Sequence, residues 1–306
     1  MGMLLAVQGA VSQGVLWGIM TLGVYITFKI LDFPDMTVDG SFALGGSVSA
    51  VMIVHGIAPG FSLIAAFAAG AIAGIVTGLL HTKLEIPGIL AGILSMIALY
   101  SINIRVMGQA NTPLLGLTTL MTSWETLFAL DRNLSSLIVG VIICAAVIAA
   151  LYWFFGTEVG CAIRATGNNE RMVRALGVDT DIMKIIGLAL SDALVALSGG
   201  LVAQSQGYAD VGMGTGTLVI GLASIIIGEV VFGRRVAFWY YLMSVVFGSI
   251  IYRLIIAIVL QLGLKSTDLK LLTAVLVVAA LSVPVLSKKF GRRKNRAAQA
   301  QGGPSC

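Results

Sequence analysis

Charge is scarce in this chain: 19 basic and 14 acidic residues make up 11% of its 306 residues, against about 25% in soluble domains. With 58% hydrophobic residues, this excludes a soluble globular protein. A mean hydropathy of +0.99 also excludes disorder, which needs high charge and low hydrophobicity. The three cysteines are Cys144 in an apolar run, Cys161 in a polar loop and Cys306 at the end. No disulfide framework is spaced that way, and they read as reduced and structural. The two histidines, His55 and His81, lie far apart with no His-Glu-x-x-His, so no metal site is expected. No Gly-x-x-x-x-Gly-Lys-[Ser/Thr] loop is present, so ATP, if used, is hydrolysed by another chain. Paired carboxylates, or a nucleophile with its base, are missing too, which leaves no catalytic residue to name. The pI near 9.2 does not indicate a nucleic-acid binder. Six basic residues (Lys288, Lys289, Arg292, Arg293, Lys294, Arg296) crowd one terminal tail, and the rest of the chain is close to neutral.

What the chain has is long charge-free runs. A helix needs about 20 apolar residues to cross the hydrocarbon core. Such stretches occupy residues 1–28, 40–82 (two spans parted near His55, Pro59 and Gly60), 86–104, 133–157, 185–209, 211–233, 236–264 and 271–287, with Asp192, Glu229 and Arg253 as isolated interruptions. These predict an all-α polytopic membrane protein of about nine transmembrane helices, within a range of eight to ten. The first stretch lacks a basic leader and runs past Trp17 and Tyr25, so it reads as a retained span. A single transmembrane domain over residues 1–287 and a basic tail over 288–306 follow.

Short basic loops stay cytoplasmic. Nine spans with the C-terminus inside put Lys29, Lys83, Arg164, Arg171, Arg174, Lys184, Arg234, Arg235 and the six tail residues on that side. Arg105, Arg132, Lys265 and Lys270 then fall outside or at an outer helix end. The N-terminus starts outside, unless a re-entrant segment near residues 29–45 moves it in. Gly70, Gly74 and Gly78, and Gly88 with Gly92, repeat every fourth residue, a spacing that lets helix backbones approach. They read as bundle packing.

Polar groups inside a bilayer are costly, and so are candidates for function. Residues Asp32 to Ser41 place three carboxylates, a proline and a glycine between two apolar stretches. This segment reads either as unwound backbone lining a cavity or as a cytoplasmic turn with a helix start, where Asp39 or Ser41 caps. Asp35, Thr37, Asp39 and Ser41 are its pathway candidates, and Asp192, a third of the way into a span, is another. Asp192 reads equally as a polar contact between helices. Glu229 suits an interfacial ion pair with Arg234 or Arg235. Arg253 suits snorkelling or a carboxylate partner. Gly212-x-Gly214-x-Gly216 reads as a flexible outer connection.

The loop from Gly156 to Thr180 is the most informative stretch. Asn168 or Asn169 can cap a short helix that runs to Leu176, and Gly177 can end it. Met172, Val173 and Leu176 are spaced as one apolar face, with Glu170, Arg171 and Arg174 around it. Such a helix either lies on the membrane lipids or serves as a knob for a cytoplasmic partner.

The segment Gly160-x-x-x-Arg164-Ala165-Thr166-Gly167-Asn168-Asn169, followed by Ala175-Leu176-Gly177-Val178, resembles the coupling loop of ABC importer permeases of the branched-chain amino acid and ribose type. Asp35-x-Thr37-Val38-Asp39-Gly40-Ser41-Phe42 with Gly45-Gly46 resembles a narrower group, paired with tryptophan- or tyrosine-type binding proteins. The likeness spans residues 12 to 287. Residues 162–167 depart from the Glu-Ala-Ala wording of other importer classes. The resemblance implies a type II importer-like bundle in a bacterial plasma membrane, probed by an external solute-binding protein. Two permease copies would be moved by cytoplasmic ABC ATPase subunits that carry ATP and Mg, with no cofactor on this chain. The coupling residues it implies are Arg164, Gly167, Asn168, Asn169, Glu170, Met172, Val173, Arg174, Leu176 and Gly177. Tryptophan or tyrosine is the first solute by resemblance, before branched-chain amino acids, nucleosides and sugars. An ion-coupled secondary transporter using Asp192, Asp39 or Glu229 is the competing reading.

Overall fold

The computed structural model describes residues 2–128, 131–233 and 237–262, with parts of a helical stretch within 271–282. The helices are α1 (Gly2–Tyr25), α2 (Thr37–Val54), α3 (Pro59–Thr82), α4 (Gly88–Met107), α5 (Leu120–Phe128), α6 (Arg132–Phe155), α7 (Glu158–Asn168), α8 (Glu170–Ala175), α9 (Thr180–Gln206), α10 (Thr217–Phe232) and α11 (Phe238–Gln261). The strands β1 (Asn111–Pro113) and β2 (Tyr208–Asp210) pair antiparallel.

Eight helices among the described residues are long and apolar enough to cross a membrane. They match the first eight expected spans in order. The ninth, at 271–287, falls largely outside the described residues, as do Cys306, the tail, Arg234, Arg235, Lys265 and Lys270. Cys144 and Cys161 are free thiols, the first buried and the second exposed.

α1, α2 and α9 are largely enclosed, whereas α4 keeps most of its surface open. The enclosure rests on small residues. A side chain on Gly70, Gly74 or Gly78 of α3 would strike Asp192, Leu188 or Ile185 of α9, so the stripe brings two backbones into contact. Gly88 and Gly92 of α4 receive Phe33 and Met36 in the same way. α1 and α9 run antiparallel, tied by hydrogen bonds from Ser191 to the Gly23 carbonyl (2.7 Å) and from Ser198 to that of Leu16 (2.8 Å).

The contacts sort the connections into two ends. One end joins Ile30 to Gly167, Phe33 to His81 and Phe155 to Phe238. The other joins β1 to β2 and Arg132 to the Ser205 carbonyl. Residues 29–45 form no re-entrant span. α1 ends in a π turn at Ile26–Ile30, and a connection with buried Leu31, Phe33 and Asp35 leads directly into α2. The start of α1 therefore lies at the end opposite the 156–180 loop.

Candidate functional site

Two regions carry the functional candidates. The first is the 156–180 loop, which folds as two helices. Thr157 caps α7 by accepting from Gly160 N, and Asn169 caps α8 by accepting from Met172 N at 3.1 Å. Gly177, at φ +86°, takes the left-handed backbone that ends the turn. A side chain on Gly167 would overlap the Ile30 carbonyl oxygen, so α7 is pressed directly onto the end of the α1 span.

α8 is fastened to α9 by charge. Glu170 accepts from Lys184 at 2.8 Å, and Arg174 donates to Glu170 (3.1 Å), Thr180 (2.8 Å) and Asp181 (3.2 Å). The Lys184 hydrogen bond, aided by Thr180 and Arg174, holds the Glu170 carboxyl below its ordinary range. Arg164 turns inward, donating to the Phe155 carbonyl at 2.6 Å and stacking over the Phe238 ring.

The expected single apolar face of Met172, Val173 and Leu176 is divided. Val173 is buried against the bundle, while Met172 and Leu176 are 48% and 73% exposed. A six-residue helix pinned at both ends turns only one of its positions inward. Its exposed surface is Arg171, Met172, Arg174, Ala175 and the following Leu176, with Arg174 turned to its ion pairs. Beside it opens a cavity of about 690 Å³ lined by Lys29, Asp32, Arg164, Gly167 and Asn168 among others.

The second region is the polar core. Asp35 accepts from Thr37 N at 2.9 Å at the start of α2. The Thr37 hydroxyl meets Thr77 (2.9 Å), which donates to Ser95 (2.7 Å). Ser41 and Asp192 are fully buried. Asp35 Oδ2 has no hydrogen-bond partner, and Asp35 and Ser41 are the polar neighbours of Asp192. Of the five pathway candidates, Asp39 lines a cavity of about 230 Å³ between α2 and α4.

Asp39 also organises α10. Its carboxylate accepts from Gly216 N (2.9 Å), the Thr217 hydroxyl (2.8 Å) and Leu218 N (2.9 Å), satisfying donors a helix start leaves unpaired. The glycine run preceding α10 is accordingly structured. Val211–Gly214 forms a 3₁₀ turn, and a side chain on Gly214 would overlap the Asp39 carbonyl.

Two charges find unexpected partners. Glu229 pairs with Lys29 at 2.9 Å, because the fold brings the end of α1 beside that of α10. Arg253 lies 3.8 Å from the Trp17 ring centroid and meets that aromatic face; among the described residues no carboxylate pairs with it. Sequence reasoning missed the network in which Gln204 donates to Ser49 (3.0 Å) and Ser62 (3.1 Å) and accepts from Leu120 N. It also passed over Asn103, whose asparagine inside a span was the available signal. Among the described residues no group of His, Cys, Asp and Glu could hold a metal ion.

Comparison with known proteins agrees with this architecture. Residues 6–281 match the family described as branched-chain amino acid transport system / permease component. The tyrosine transport system permease protein of Clostridioides difficile is 42% identical over 271 residues, 89% of this chain and 88% of that one. A probable branched-chain amino acid transport permease protein LivH of Methanocaldococcus jannaschii is 28% identical over 204 residues, covering 63% and 64%. Among solved structures, PsaBC from Streptococcus pneumoniae in complex with Fab shares the fold at a TM-score of 0.50 and 16% identity, covering 90% of this chain and 89% of that chain. The chain belongs to the family of branched-chain amino acid transport permease components, and is a multi-pass membrane transport subunit rather than an enzyme.

Proposed function

We propose that the chain imports an amino acid, tyrosine first, as the permease of an ATP-driven importer fed by a solute-binding protein. The observation that carries this reading is α8: a capped, ion-paired helix whose Arg171, Met172, Ala175 and Leu176 face outward. An exposed apolar pair on a rigid base suits a partner's groove, here that of a cytoplasmic ABC ATPase holding ATP and Mg. Motion pressed on α8 passes through the Glu170–Lys184 contact into α9 and through Gly167 into α1, which rocks the bundle between two access states.

Two copies of residues 1–287 would enclose the pathway, with α4's open face toward the partner copy. The binding protein would meet the β1–β2 end. The tail, residues 288–306, would lie on the cytoplasmic side of a bacterial plasma membrane. Asp39 belongs to the pathway in this reading, whereas Asp35, Thr37, Ser41 and Asp192 hold α2 on α3 and α9. The choice of tyrosine rests on the 42% identical relative.

Proteoliposomes holding the permease, its ATPase and its binding protein test the proposal. ATP-dependent uptake of labelled tyrosine is expected, and uptake without the ATPase contradicts it. Two neighbouring buried carboxylates, Asp35 and Asp192, favour one rival, an ion-coupled carrier, which would take up solute on a sodium or proton gradient alone.

A further inference from the structure

The wall of the cavity between α2 and α4 contains an unused acceptor. Asn103 of α4 is fully buried, and its Nδ2 donates to the Gly40 carbonyl at 3.3 Å. A carbonyl only accepts, so this contact fixes the amide's orientation and leaves Oδ1 as the free atom. Oδ1 has no partner, although Asn103 lines the cavity. A buried amide oxygen left unpaired calls for a donor.

A second acceptor stands beside it. Asp39, next to Gly40, is partly exposed to the same space, and its Oδ2 accepts only from Gly216 N. A carboxylate oxygen has room for a further donor. No Lys, Arg or His lines the cavity, whose other walls include Met96, Tyr100 and Thr215. Tyr100 is 55% exposed. Two acceptors, one anionic, with no cation, an apolar wall and a phenol ring suit a cationic donor attached to an apolar or aromatic body. The volume, about 230 Å³, suits a small solute, since drug-sized ligands take roughly 300 Å³ or more.

We propose that this cavity reads the amino group of the transported solute, with Asn103 Oδ1 and Asp39 accepting from a primary ammonium and Tyr100 flanking the side chain. The inference rests on the reading of the chain as an amino-acid permease. The carboxylate of the solute finds no partner here, so the amine alone is selected.

The test is displacement of labelled tyrosine from the permease–ATPase complex in nanodiscs, without binding protein. Tyramine, which keeps the amine, is expected to compete. 3-(4-Hydroxyphenyl)propionate, which keeps only the carboxylate, is expected not to. Asn103→Leu should weaken tyrosine binding about tenfold, as loss of a buried hydrogen bond does, and raise the KM of uptake in step. Tyr100→Leu, at a half-exposed ring, should weaken binding about threefold; if Asn103→Leu fails to fold, this variant and the competitor pair decide. Equal competition by the two analogues overturns the inference, as does wild-type binding in folded variants. If the wild-type importer takes up tyrosine but the variants match it, the inference alone falls. If the wild type with its binding protein takes up no tyrosine, the solute reading falls and the inference with it.

Discussion

The Asp39 carboxylate accepts the Thr217 hydroxyl at 2.8 Å across 178 residues of sequence, so a side chain in α2 determines where α10 begins. It also accepts from Leu218 N at 2.9 Å, the bond that defines an N-cap. The cap comes from another helix because Gly216 has no side chain to supply it. Any movement of α2 therefore pulls on the start of α10.

Asp39→Ala should destabilise the bundle by about 1–2 kcal/mol, the ordinary loss on removing an N-cap. Thr217→Ala, which removes one of three bonds, should cost less. Thermal unfolding of the detergent-solubilised protein compares them, and an Asp39→Ala protein as stable as the parent would count against the cap.

Replacing Gly74 by Leu should prevent stable packing of α3 on α9, since even modest overpacking costs about 1–3 kcal/mol and the obstacle here is the Leu188–Ala189 backbone. Gly60→Ala, with nothing within 4 Å, is the neutral control. Monodispersity on size exclusion separates the two.

How much of this was legible in the sequence differs between helices and contacts. Charge-free runs located eight spans, because a bilayer imposes one length and one polarity on each helix. Asn169 and Gly177 bounded α8, because caps and left-handed turns are local chemistry. The partner of Glu229 was not legible. Nearness in sequence favoured Arg234 and Arg235, but the chain topology brings Lys29 to it. The cap from Asp39 to Thr217 and the free oxygen of Asn103 were hidden for the same reason, since both depend on which helices end up adjacent. The inward turn of Val173 depends on α8 being pinned, which periodicity does not encode.

Lys29→Glu should weaken the contact between the ends of α1 and α10, and adding Glu229→Lys should restore it. Both side chains are partly solvated, at 32% and 20%, so about 0.2–1 kcal/mol is expected. A double-mutant cycle in thermal unfolding reads it, and a zero coupling energy would make the bridge incidental.

The seat of α8 should depend on pH through Glu170. Its carboxyl is held below the ordinary range, so the stabilisation is complete above the unfolded-state pKa, near 4.5. It is lost as pH falls through the lower folded-state value. Hydrogen exchange of residues 170–176, corrected for intrinsic rates, should rise on acidification, and Glu170→Gln should raise exchange at neutral pH and flatten the profile.

The most direct measurement is ATP-driven tyrosine uptake and ATPase co-purification for Leu176→Asp, whose side chain is 73% exposed and supports no part of the bundle. We expect a folded, membrane-inserted permease that retains little of either. Full uptake with the ATPase still bound would contradict the assignment of α8 as the point where the motor takes hold.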